Sequence, residues 1–80
     1  MRKNFNVDIE DNGAVYLIVI NKGTQDRCVA GYTHTLGEAW NHIVWMYRCE
    51  NQEFTVGEKK IPVVDWLEGM FKAGYIDYEV

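Results

Sequence analysis

Most of the features that would betray an activity are missing from this sequence. It holds only two cysteines, Cys28 and Cys49, without CxxC spacing, which excludes a redox dithiol or a zinc ribbon. Two thiols allow one internal disulfide at most, and free, reduced thiols are expected. No apolar run approaches 18 residues, so no membrane span is expected. Arg2 and Lys3 are not followed by an apolar segment, so no signal peptide is read. The seven glycines are scattered and build no GxGxxG, P-loop or GxSxG motif. Basic residues are scarce as well, eight against twelve acids, for a net charge of −4. The excess lies in residues 31–80, where Arg48, Lys59, Lys60 and Lys72 face eight acids. That balance argues against direct nucleic-acid binding, which clustered positive charge drives, and suits a partner with a basic surface.

What is present describes a folded domain. Eighty residues make a single domain over 1–80, and the 48% hydrophobic and 14% aromatic content is that of a globule. Phe5, Val7 and Ile9 alternate with Asn6, Asp8 and Glu10, the period of a strand with one wet face. Asn12-Gly13 is a strong hairpin signal. Residues 14–20 are apolar without a break, so this strand is expected to be central and covered on both faces. A turn over 21–26 leads to a third strand over 27–33, completing an antiparallel meander.

Thr35-Leu36-Gly37-Glu38 fits a capping box, in which the Thr hydroxyl and the Glu side chain each serve the other's amide. A helix over 36–50 follows, with Leu36, Ala39, Trp40, Ile43, Val44 and Tyr47 on its apolar arc. Residues 54–56 read as a short strand and 57–60 as a turn. Pro62 is placed to open a second helix, striped by Val63, Val64, Leu67, Met70 and Phe71 with Trp66 at one edge, and Gly74 to stop it. Residues 75–80 alternate again and read as a final strand. The expected fold is α+β: an antiparallel sheet of three to five strands with two helices, in the order β-β-β-α-(β)-α-β. If both helices cover one sheet face, the other stays apolar and bare, so either the second helix crosses to that side or the sheet pairs with a partner or forms a homodimer.

Trp45 breaks the helix pattern. It points away from the apolar arc, among Glu38, Asn41, His42, Arg48 and Cys49. A large aromatic is costly to leave in water, so either another segment covers it or another molecule does. An aromatic centre with a polar rim is the anatomy of an interface.

Candidate chemistry is thin by comparison. His42 and Cys49 lie two helical turns apart, about 10 Å, too far for a catalytic pair without bending. Cys28, His34, His42 and Cys49 are the right types for zinc, but their spacing matches no zinc motif, and Cys28 is expected to be buried in its strand. The acids Asp8 and Glu10, or Asp77 and Glu79, alternate on wet strand faces where carboxylates are simply solvated. The outer face of the second helix offers Asp65, Glu68 and only Lys72, a poor set for reading a DNA groove. No catalytic residue, metal or cofactor is assigned.

Two resemblances follow from these residues. Gly31-Tyr32-Thr33-His34 leading into Thr35-Leu36-Gly37-Glu38-Ala39 is similar to the HicB-type antitoxins, where a three-stranded meander passes into a helix opening Thr-Leu-x-Glu-Ala. That resemblance implies neutralisation of a small basic toxin. In size, acidity and lack of motifs the chain also looks like the small inhibitors that phages encode against bacterial defence, anti-CRISPR proteins among them. This implies a non-enzymatic inhibitor in the bacterial cytoplasm, blocking the basic, nucleic-acid-binding surface of a larger protein or complex. The residues expected to meet that partner are Glu38, His42, Trp45, Arg48, Glu50, Glu53, Glu58, Asp65 and Glu68.

Overall fold

In a computed structural model, which describes residues 4–77, the chain folds into a five-stranded sheet with both helices packed on one face. Strands β1 (Asn6–Asp11) and β2 (Tyr16–Ile20) form the hairpin that Asn12-Gly13 implies. Asn12 Oδ1 accepts from the amides of Ala14 and Val15 at 3.0 and 2.9 Å, and Gly13 takes a φ of 91°. Only a residue without Cβ adopts that angle freely. β3 (Cys28–Thr33) pairs antiparallel with β2, and a shift between Ile18 and Val19 skips Ala30 as a bulge.

Helix α1 (Leu36–Arg48) starts at the expected cap and ends before residue 50. The Thr35 hydroxyl accepts from the Glu38 amide at 3.1 Å and donates to the Glu38 carboxylate at 3.1 Å. The carboxylate thus grips the hydroxyl, where the capping box expects it on the Thr35 amide. Ala39, Ile43, Val44 and Met46 are buried against the sheet, while Leu36 stays partly in water.

Three expectations are corrected here. The sheet is mixed, because β4 (Thr55–Val56) pairs parallel with β1. The cause is α1, which carries the chain back across the sheet face, so that the next strand runs in the direction of β3 and β1. Its pairing is held by the Thr55 amide on the Phe5 carbonyl (3.0 Å), the Gly57 amide on the Val7 carbonyl (2.9 Å) and the Thr55 hydroxyl on Asn6 Oδ1 (2.6 Å).

The order is also different, β-β-β-α-β-β-α. The turn over 57–60 closes a tiny hairpin whose second strand, β5 (Ile61–Pro62), pairs with β4 and ends at the N-cap of α2 (Val63–Lys72). The strands lie side by side as β3-β2-β1-β4-β5. The last correction concerns the strand expected over 75–80. Residues 75–77 belong to no strand, and 78–80 fall outside the described residues. Gly74 (φ 82°) ends the helical run, Tyr75 packs on Trp40 with ring centroids 5.0 Å apart, and Ile76 turns into the core. Two neighbouring side chains are thereby both committed to the helix layer, which strand alternation does not permit.

The register places Val7, Ile9, Tyr16, Ile18 and Ile20 on the helix-covered face, where Val7 and Ile18 meet Ile43, Val44, Val63 and Leu67 in the core. The opposite face carries Asp8, Glu10, Leu17, Val19, Val29 and Tyr32, with no helix over it. Residues 14–20 are therefore not covered on both faces by elements of the fold, as their composition had implied. Val19 is nevertheless fully buried. Arg27, just before β3, reaches diagonally over β2 to Glu10 on β1, with Nη2–Oε2 at 3.1 Å, a path that crosses the sheet at the register of Val19.

Candidate functional site

Trp45 is 48% exposed, so neither α2 nor the loop over 52–57 buries it. Its one described ring neighbour is His42, with centroids 5.9 Å apart. His42 was expected to face solvent and is half-buried instead, lying against β3: a Cβ added to Gly31 would stand 3.7 Å from its Cε1. The helix thus presents Trp45 and His42 beside the outermost strand of the sheet.

Among the described residues β3 has no strand on its outer side, and between Cys28 and Thr33 it carries no charge and no proline, its one edge device being the bulge at Ala30. Val29 and Tyr32 are 47% and 65% exposed along it, and Tyr32 stands edge-on to His34. Cys28 is exposed too, against the expectation that its strand would bury it; both thiols are free. The opposite edge contrasts at every point. β5 is two residues long, follows Lys59 and Lys60 and contains Pro62, three devices that discourage strand addition.

The residues expected to form one surface divide into two groups. Glu38, His42, Trp45 and Arg48 share α1, with Glu50 exposed just beyond its end and Glu53 exposed in the following loop. Glu58 stands in the β4–β5 turn, and Asp65 and Glu68 lie on α2, which packs on β4 and β5. From β3 to β5 are four strand spacings, about 19 Å. Glu68 is already paired with Lys72 at 3.0 Å, and Glu38 with Thr35. Glu58, Asp65 and Glu68 thus lie away from the ring around Trp45, on an edge that also carries Lys59, Lys60 and Lys72.

A third feature was not foreseen. Between the start of α1 and α2 lies a cleft of about 380 Å³, walled by Tyr16, Trp40 and Trp66, with Ile9 and Leu36 beside them and Asp11 at its border. Tyr16, Trp40 and Trp66 are all partly buried against the core. Each ring taken alone reads in the sequence as ordinary packing. Only the packing of α1 over β2 and β3 and of α2 over β4 and β5 brings them together.

Nucleophile and metal chemistry find no such convergence. Among the described residues, no group of three or more His, Cys, Asp or Glu side chains could hold a metal, so Cys28, His34, His42 and Cys49 do not assemble. No described helix is long and apolar enough to cross a membrane. Comparison with known proteins adds no relative, since no family model, curated protein or solved structure matches the chain. What fold and surface define is a small mixed α+β domain with one uncharged sheet edge, a half-exposed tryptophan beside it, and an opposite edge where three acids are balanced by Lys59, Lys60 and Lys72.

Proposed function

We propose that this chain is a non-enzymatic binding protein that inhibits or regulates a larger protein, with the β3 edge and the Trp45–His42 side of α1 as its contact surface. One observation carries the reading: a tryptophan left 48% exposed beside an uncharged edge strand that also exposes Val29 and Tyr32. An extended segment of a partner can add to such an edge through backbone hydrogen bonds, while Trp45 and Tyr32 supply the side-chain contacts. Glu38, Glu50 and Glu53 on the α1 side, with Glu58, Asp65 and Glu68 farther off, draw a basic partner in and raise its association rate more than its final affinity. By resemblance to the small phage-encoded inhibitors, the partner proposed is the basic, nucleic-acid-binding surface of a bacterial defence complex.

The β1–β2–β3 meander running into a helix capped at Thr35 supports a second reading, a HicB-like antitoxin or regulatory domain that neutralises a small basic toxin. Both readings are tested by capture from bacterial lysate with the wild-type chain, Trp45→Ala, and a triple variant at Glu58, Asp65 and Glu68 changed to Gln. A protein held by the wild type, lost with Trp45→Ala and captured more slowly by the triple variant in low salt supports the contact surface. Equal capture by wild type and Trp45→Ala overturns it. The size and charge of the captured protein separate a toxin from a defence complex.

A further inference from the structure

We infer that the cleft between α1 and α2 is a receptor for a cation, the guanidinium of an arginine side chain on the partner; this rests on the reading of the chain as a protein-binding domain, and adds a second contact remote from Trp45. Three aromatic rings, Tyr16, Trp40 and Trp66, line a space of about 380 Å³. Ring faces attract cations through their quadrupoles, and indole does so best. Their placement is set before any ligand arrives. Each ring packs partly into the core, and Trp40 is further held by Tyr75 at 5.0 Å.

The border of the cleft supplies the charge complement. Asp11 pairs with Tyr16 across β1 and β2, so both project from the helix-covered face. One Asp11 oxygen, Oδ1, accepts the Gly13 amide at 2.8 Å, which holds the carboxylate at the border of the cleft. Asp8 also borders the cleft, but its carboxylate belongs to the opposite face, where it accepts from Asn6 at 3.5 Å. The backbone adds acceptors. Among the described residues β4 pairs only with Asn6 and Val7, so the edge of β1 from Ile9 to Asp11 has no described strand beside it and presents amides as well as carbonyls. The carbonyls of Phe5 and Val7 accept from β4 and its turn, and by strand alternation the Ile9 carbonyl comes next on that edge.

No lysine, arginine or histidine is among the described residues lining the space. Three aromatic rings, one carboxylate and the absence of a cationic side chain among the described lining residues suit a planar, multi-donor cation. Guanidinium stacks on rings and donates in its plane at once, whereas an ammonium is compact and more strongly hydrated.

The test uses the whole chain, labelled with ¹⁵N, and follows the three indole N–H signals. N-acetyl-arginine amide is titrated beside its neutral isostere N-acetyl-citrulline amide and N-acetyl-lysine amide. Trp40 and Trp66 should shift along a saturable curve below about 50 mM, as suits one side chain presented alone, while Trp45 stays still. Arginine should bind at least about fivefold tighter than citrulline. Asp11→Asn should erase most of that preference, and Trp66→Leu should remove the shifts. If Trp66→Leu fails to fold, the arginine–citrulline contrast on the wild type decides the matter. Equal binding of arginine and citrulline, tighter binding of lysine, or an equal shift at Trp45 overturns the inference. A negative titration with capture still lost in Trp45→Ala removes the cleft and keeps the Trp45 surface. A positive titration with capture unchanged in Trp45→Ala does the reverse.

Discussion

Truncating Trp45 to alanine separates a contact surface from a packing role, and the two readings differ in size. A tryptophan brings about 200 Å² of surface, and with 48% of it exposed about 100 Å² is left for a partner to bury. At about 25 cal/mol per Å² that is about 2.5 kcal/mol of binding, close to a seventyfold change in Kd. The half already buried inside the chain has a similar ceiling. Allowing for the compactness of the unfolded chain and for what alanine still buries, about 1.5 kcal/mol of stability should be lost. In a domain of this size, that lowers Tm by roughly 6 to 12 °C.

Leu67→Ala is the contrast, since Leu67 has no exposure and a cavity opens where it stood. It should cost about 3 kcal/mol or more. Thermal melts followed by circular dichroism measure the fold, and titration calorimetry against the purified partner measures the contact. A Trp45→Ala variant as unstable as Leu67→Ala, or one that binds the partner as the wild type does, would refute the reasoning.

Arg27 offers a separate test, because its pair with Glu10 is 42% and 34% exposed and screened by solvent, so the charge itself is worth at most about 0.5 kcal/mol. Its stem, crossing the sheet at the register of Val19, is expected to cover that side chain for about 1 kcal/mol more, so Arg27→Ala should lose the sum while Arg27→Met, which keeps the stem, loses only the smaller part in urea denaturation. Thr35→Ala removes the cap of α1 and should cost about 1 kcal/mol, read from the same denaturation curves. Gly57→Ala meets no neighbouring atom, yet its φ of 81° is strained for any residue with a Cβ. It should cost about 1 kcal/mol and loosen the β4–β5 turn, visible as faster amide exchange at Lys60.

Local signals were legible wherever a few adjacent residues suffice. Asn12-Gly13 marked the hairpin, Thr35 and Glu38 marked the start of α1, and Gly74 marked its counterpart's end, because turn and cap chemistry act over three or four residues. The position of Trp45 off the apolar arc followed from helical periodicity alone, and the fold leaves it half in water. The parallel β1–β4 pair was hidden, since it joins residues about fifty apart and depends on where α1 sets the chain down. β5 has only two residues, too few for any period to show. The alternation over 75–80 misled, because Tyr75 and Ile76 both engage the helix layer instead of opposite sheet faces.

Composition and short-range chemistry determined by themselves that this chain makes one α+β domain, acidic in its second half, with an aromatic placed off the core of its first helix. Tertiary structure alone decided which surfaces those residues share. It sent Glu58, Asp65 and Glu68 to the edge opposite Trp45, left β3 as an uncharged outer strand, and gathered Tyr16, Trp40 and Trp66 around one cleft. Periodicity fixes which way a side chain points from its own element. Which neighbour it meets there depends on how whole elements cross, and that is set by packing across the entire chain.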